Sequence, residues 1–319
     1  MKKILEKMKA VSGLAREFGA RAAYVAQIEF NLTPGSKREA YFFKKHEFIT
    51  NLLEAKLRSV IDSLGQADWN PEPAAPVEER AIWVFWWQGE DAMPDIVKMC
   101  CDSIRLRAGA RARVILLSRD NLSQYVALPD FVMSKLDARL ITLAHFSDIV
   151  RFYLLHRYGG LWLDATIYVS QEIPDRVFAP FFTIRHQPIG KYVALGRWTG
   201  FAIGGHKGCA LFAFVLAAYY EYWERQNLVI DYYLMDYLLN VIDRRLPAAH
   251  RIIESNTWKG DGIFDLASVL NAAHDPEELT RVLEGSVFHK LSWKAPRRLK
   301  TKDGADTNIA VLLREAARQ

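Results

Sequence analysis

The chain has 319 residues, half of them hydrophobic and a quarter charged, with a formal net charge of +5. These proportions exclude disordered and fibrous classes and allow one large α/β domain or two ordinary ones. The charge is too mild to require a nucleic-acid partner but suits a chain that handles phosphorylated ligands.

The first segment reads as helices. Ile4, Met8, Val11 and Leu14 recur at three- and four-residue steps, as do Phe48, Leu52, Leu53, Leu57, Val60 and Ile61, and Pro34-Gly35 divides the two runs. Lys2, Lys3, Lys7 and Lys9 give this segment a basic start. Such a cluster suits peripheral contact with an anionic membrane, or is simply a solvated helix face. Pro71, Pro73 and Pro76 forbid a regular helix and mark a linker. The expected organisation is therefore a helical accessory region with its linker (1–79), a main domain (80–296) and a basic tail (297–319).

A different pattern begins at Ala81. Ala81 to Trp87 is an apolar and aromatic run of the kind that makes a strand buried on both faces, and Gln88-Gly89 stops it. Pro94 to Leu106 reads as a helix, Arg113 to Leu117 as a second buried strand, and Asn121 to Leu128 and Phe131 to Leu140 as further helical pieces. Strand, helix and strand in this order predict an α/β fold with a mainly parallel sheet flanked by helices. The longest uncharged apolar run, Cys209 to Tyr220, falls short of the roughly 18–20 residues that cross a bilayer, and the amino terminus lacks a compact apolar signal core. A cytoplasmic location is expected. Cys100, Cys101 and Cys209 have neither disulfide-framework nor metal-ligand spacing and read as free thiols.

The most informative stretch runs from His145 to Ser170. Phe146, Ile149, Val150, Tyr153 and Leu154 form one apolar helix face, and the helix should end near Tyr158, where Gly159 and Gly160 allow a tight reversal into the strand Leu161 to Leu163. Asp148 and Arg151, three residues apart, share the other face. They form either a mutual ion pair or a ligand-binding pair, because either charge buried alone costs several kcal/mol. Asp164 favours the second option, since it ends a buried strand and ligands of open α/β sheets bind outside the carboxyl ends of strands.

Asp148-x-x-Arg151 followed by Tyr158-Gly159-Gly160-x-x-x-Asp164 resembles the signature of sugar-nucleotide glycosyltransferases of the GT-A fold. YGGLWLDAT is similar, more narrowly, to the capsular polysaccharide synthesis proteins related to glycosyltransferase family 32. AIWVFWWQG at 81–89, IDYYLMDYLL at 230–239 and HKLSWK at 289–294 match the same family in the same order.

The resemblance implies a GT-A-like domain that transfers a hexose or N-acetylhexosamine from a nucleotide sugar, a UDP-sugar in the first instance, to a capsular polysaccharide or lipid-linked acceptor, with retention. It implies that Trp86 or Trp87 stacks on the base, that Asp148 and Arg151 hold sugar and ribose hydroxyls or phosphate, and that Gly159 and Gly160 border the donor. Asp164 corresponds to the first carboxylate of a DXD motif, for which the resemblance implies Mn²⁺ or Mg²⁺. Thr166 stands where the second carboxylate belongs, which weakens the metal site and leaves a non-catalytic sugar-nucleotide or glycan-binding module as the competing reading. His289 would complete the metal shell, Lys290, Ser292 and Lys294 would meet the diphosphate, and Trp293 would close over the donor. Asp236 is a candidate for a sugar hydroxyl or the reacting face, or else a helix carboxylate bonded to a tyrosine.

Overall fold

The computed structural model describes residues 2–65, 69, 80–110 and 112–317, with side chains from residue 8 onward. The proline-rich linker expected at 68–79 lies, Trp69 apart, outside the described residues, as do the side chains of Lys2, Lys3 and Lys7, while Lys9 is exposed.

Five strands form the central sheet: β1 (Arg80–Phe85), β2 (Ala112–Leu117), β3 (Gly160–Leu163), β5 (Phe181–Thr183) and β6 (Ala202–Gly205), in the order β2-β1-β3-β6-β5. β1 runs parallel to both β2 and β3, whereas β6 is antiparallel to β3 and to β5. The α/β class therefore holds and the sheet is mixed. A separate antiparallel pair joins β4 (Ile167–Val169) to β7 (Phe288–Lys290).

Strand alternation explains why the β1 run is apolar throughout. Ala81, Trp83 and Phe85 enter one core with Trp162 and Ile203, while Ile82 and Val84 enter a second with Leu161, Leu163 and Ala202. The first core is covered by α8 (Leu143–Tyr158), α9 (Ala210–Arg225) and α10 (Leu234–Arg245). The second is covered by α6 (Asp95–Arg107) and by the β4–β7 pair.

Of the amino-terminal helices α1 (Lys2–Phe18), α2 (Ala20–Ala23), α3 (Glu29–Leu32), α4 (Arg38–Lys56) and α5 (Arg58–Leu64), four place Leu14, Phe18, Ala22, Leu53 and Ile61 among the side chains of the first core. His46 Nδ1 lies 2.8 Å from the Tyr237 hydroxyl, and Asn240 Nδ2 donates to Thr50 Oγ1 at 2.9 Å, tying α4 to α10. Helix α7 (Asp130–Asp137) adds Val132 and Leu136 to the same core. Three short helices, α11 (Pro247–Ser255), α12 (Asp265–Val269) and α13 (Pro276–Glu284), bring the chain back to β7. The basic segment beyond Arg297 ends in α14 (Asn308–Ala316), which packs Ile309 and Leu312 into the second core beside α6. No helix among the described residues is long and apolar enough to cross a membrane.

Two glycines set the path from α8 into β3. Gly159 caps the helix with φ 72°, and Gly160 follows at φ 96°, where an added Cβ would lie 2.4 Å from the Ala81 carbonyl oxygen on β1. Backbone conformation and β1–β3 contact both demand glycine there. Gly160→Ala is expected to cost at least about 2 kcal/mol and to lower the thermal midpoint by about 5 °C, measured by circular dichroism.

Candidate active site

The parallel strands β1 and β3 end side by side, and outside their carboxyl ends lies a cleft of about 490 Å³. Its walls come from the end of β1, from α8, from the turn after β3, from the start of α10 and from the segment after β7. Asp148, Arg151, Asp164, Thr166, Asp236 and Lys290 all line it, although they are spread over more than 140 positions of the chain.

Asp164 is the meeting point. Asp164 directly follows β3, and two residues earlier in that strand Trp162 lies on the same side, so the indole Nε1 donates to Asp164 Oδ1 at 2.9 Å. Arg151 reaches the same oxygen from α8, with Nη2 at 3.2 Å, and Lys290 Nζ donates to the other oxygen, Oδ2, at 2.9 Å. The backbone fixes this arrangement. The Asp164 N–H donates to the Phe201 carbonyl at 2.8 Å, the Asp164 carbonyl accepts from Ile167 N–H at 2.8 Å, and Thr166 holds the chain after β7 by accepting from Leu291 N–H at 2.9 Å. Burial alone would raise the Asp164 pKa, but the Lys290 and Arg151 charges and the indole bond outweigh it and hold the carboxyl down at about 2.

Arg151 is buried, with both terminal nitrogens engaged and its Nε–H without a partner among the described residues. Nη1 donates to Asp148 Oδ1 at 2.5 Å, Nη2 goes to Asp164, and the guanidinium carbon sits 4.8 Å from the Trp162 ring centroid. Burial opposes its charge, and Asp148 and Asp164 more than compensate, raising its pKa. The Tyr219 hydroxyl donates to the second Asp148 oxygen at 3.1 Å. Asp148 and Arg151 thus form an intrahelical pair that also reaches across to the strand.

Asp236, in the first turn of α10, accepts from Trp198 Nε1 at 2.9 Å. Burial and the nearby Asp148 carboxylate push its pKa up to about 7, against the opposing effects of the indole bond and Arg151. Its proton occupancy therefore changes near neutrality.

Aromatic side chains frame the opening. Trp86 and Trp293 meet edge to face with centroids 5.8 Å apart, and the Trp86 indole N–H is buried without a hydrogen-bond partner among the described residues. Lys294 Nζ lies 5.3 Å from the Trp293 centroid, and Ser292 completes that rim. Tyr232 is exposed on the facing side.

Four expected site residues lie away from the cleft. Trp87 turns from it and packs edge to face on Phe146 at 5.5 Å and Phe85 at 6.2 Å, because the chain leaves β1 at Phe85 and the two tryptophans then diverge. Gly159 and Gly160 act through backbone geometry at the opposite end of β3. His289 is corrected most fully. Neighbours in a strand face opposite ways, so with Lys290 aimed at Asp164, His289 is buried on the far side with Nε2 3.0 Å from Ser170 Oγ, and burial lowers its pKa to about 4.

With His289 removed, Asp164 and Thr166 are what remain of the expected metal ligands. Both Asp164 oxygens are already engaged, and Thr166 Oγ1 accepts from Lys290 Nζ at 2.8 Å. No group of three His, Cys, Asp or Glu suited to a metal ion occurs among the described residues. This donor set does not fit a divalent cation, which takes several unshared oxygen ligands.

The cleft also contains residues that sequence reasoning missed. Trp162 was open to detection, since it lies in β3 two residues before Asp164. His145 and Met235 were not, because their places at the site depend on contacts between segments distant in sequence, as does that of Trp198, which is buried behind the cleft and holds Asp236.

Fold and cleft together define an α/β protein with a polar, aromatic-rimmed ligand site at the carboxyl ends of its parallel strands. The chain belongs to the capsular polysaccharide synthesis protein family, which it matches over residues 31–308. A stretch of 118 residues is 30% identical to the O-glycosyltransferase braB of Annulohypoxylon truncatum, covering 34% of this chain and 28% of that protein. The chain thus spans little more than a quarter of that relative. Among solved structures, the PaToxG Glycosyltransferase aligns over 65% of this chain and 84% of its own, at 13% identity and a TM-score of 0.36, a likeness too slight to carry an argument.

Proposed function

We propose that this protein is a glycosyltransferase that moves a hexose or N-acetylhexosamine unit from a nucleoside-diphosphate sugar, a UDP-sugar in the first instance, to a polysaccharide or lipid-linked saccharide, with retention at the anomeric carbon. One observation carries the proposal: Asp148, Arg151, Asp164 and Lys290 converge from α8, β3 and β7 on one cleft rimmed by Trp86 and Trp293. Membership of the capsular polysaccharide synthesis family and the partial likeness to an O-glycosyltransferase support it.

In this proposal Trp86 stacks on the base and Trp293 covers the donor, excluding water that would otherwise hydrolyse it. Asp164 and Asp148 accept hydrogen bonds from sugar and ribose hydroxyls. Arg151 fixes both carboxylates in position and adds positive charge beneath the diphosphate, while Lys290, Ser292 and Lys294 meet the phosphate oxygens. The bond from the anomeric carbon to the diphosphate oxygen breaks as the acceptor hydroxyl oxygen bonds to the same face, and its proton passes to the departing phosphate oxygen. The protein's contribution is positioning and charge stabilisation. Asp236, which titrates near neutrality, orients the acceptor hydroxyl from α10.

The test is a thermal-shift screen against UDP-, GDP- and CMP-sugars followed by a transfer assay. At a donor concentration of about 100 Kd, the matching nucleotide should raise the midpoint by about 5 °C. Stabilisation by no nucleotide sugar defeats the proposal. Stabilisation without transfer or donor hydrolysis instead identifies a binding module, the reading that Thr166 in place of a second carboxylate favours.

A further inference from the structure

We infer that the Lys290 ammonium occupies the place of a divalent metal in this cleft, and that donor binding and transfer are metal-independent. The inference rests on the nucleotide-sugar reading above. It starts from one geometric fact: Lys290 Nζ bridges Asp164 Oδ2 at 2.9 Å and Thr166 Oγ1 at 2.8 Å, the two side chains that a metal in an Asp-x-Asp arrangement would bind.

Charge arithmetic agrees with the geometry. Two carboxylates around a divalent ion sum to zero, and one carboxylate beside one ammonium also sums to zero. The loss of a negative charge at Thr166 is thus matched by a cation carrying one positive charge rather than two. A divalent ion added to Asp164 without displacing Lys290 would stand against that ammonium with a single carboxylate to offset both, an arrangement strongly disfavoured in a partly dry cleft.

The ammonium is also held as a ligand-binding group needs to be. It has three N–H donors, of which two go to Asp164 and Thr166 and the third has no acceptor among the described residues. Nζ lies 5.1 Å from the Phe201 ring centroid, and Lys290 lines the cleft. The β4–β7 register, with Lys290 opposite Ile167, sets the stem in place. The third proton is therefore available to a diphosphate oxygen on which charge grows as the sugar leaves.

The experiment measures binding of UDP, GDP and inorganic pyrophosphate to the full chain by calorimetry, in EDTA and in Mn²⁺. Electron paramagnetic resonance of free Mn²⁺ is recorded alongside, with and without protein. The expected result is a Kd equal within about twofold in the two conditions and no loss of free Mn²⁺ signal beyond that caused by nucleotide alone. Lys290→Met should weaken nucleotide binding by about 10- to 100-fold, the effect of losing a charge-assisted hydrogen bond, and Lys290→Arg should recover most of it. Binding that rises about tenfold or more in Mn²⁺ and vanishes in EDTA overturns the inference while leaving the glycosyltransferase reading intact. Unchanged binding by a folded Lys290→Met also overturns it. If none of the three probes binds in either condition, the inference falls together with the reading beneath it. The wild-type comparison needs no variant and decides the question even if Lys290→Met fails to fold.

Discussion

Replacing Arg151 with methionine is expected to lower stability by about 3–5 kcal/mol, a fall of about 5–8 °C in the thermal midpoint at pH 7. The guanidinium is buried between α8 and β3 and is shared by Asp148, 2.5 Å away, and Asp164, 3.2 Å away. Methionine is close in volume and leaves little cavity, so the loss comes from the stranded carboxylates. Asp164 keeps Lys290 and the Trp162 indole, but among the described residues Asp148 keeps only the Tyr219 hydroxyl. Arg151→Met combined with Asp148→Asn should therefore recover a substantial part of the loss, because the second change removes the stranded charge. Thermal unfolding of the two single variants and the double variant checks this, and strict additivity would show that the pair is not coupled. Arg151→Lys should fall between wild type and methionine, since one ammonium cannot span both carboxylates as the planar fork does.

Local features of this chain were legible because they rest on neighbours in sequence. The two-faced strand Ala81–Phe85, the end of α8 at Tyr158 and the reversal at Gly159 follow from periodicity and from backbone freedom. The same rules carried β1 on into Trp86 and Trp87, which lie just past its end but still bond to the end of β2 and the residues after it, Trp86 N–H donating to the Leu117 carbonyl at 2.9 Å and Arg119 N–H to the Trp87 carbonyl at 3.0 Å. Strands β5 and β6 carried little signal. They are three and four residues long, and β6 ends in Gly204 and Gly205, which have no side chain to show a pattern. Asp148, Arg151 and Asp164 were identified because they sit within seventeen residues on adjoining elements. The assignment of His289 and Lys290 was beyond reach, because a shift of one position in the β4–β7 register would exchange the faces they occupy. The amphipathic faces of α4 and α5 were likewise visible, but only the structure supplies α9 and α10 as the surfaces they cover.

Asp164→Asn is expected to reduce transfer by about 10²-fold or more while changing nucleotide affinity by less than about tenfold. The side chain holds Lys290, Arg151 and the Trp162 indole at once, so its loss lets the groups around the reacting sugar drift, and a displacement of about 1 Å in a catalytic site costs on the order of 10²-fold. Affinity should suffer less, because the charge removed has the same sign as the diphosphate. A loss confined to a raised KM with kcat unchanged would instead assign Asp164 to binding alone. Stability offers a check independent of activity. With its carboxyl held at about 2, below the ordinary value near 4, Asp164 contributes stability that is fully present above about pH 4 and is lost as the pH falls through about 2. The midpoint of Asp164→Asn should thus lie below that of the wild type at pH 7, and the gap should narrow between about pH 4 and pH 2. A gap that stays constant over that range would mean that the carboxylate's charge does not hold Lys290 and Arg151 in place.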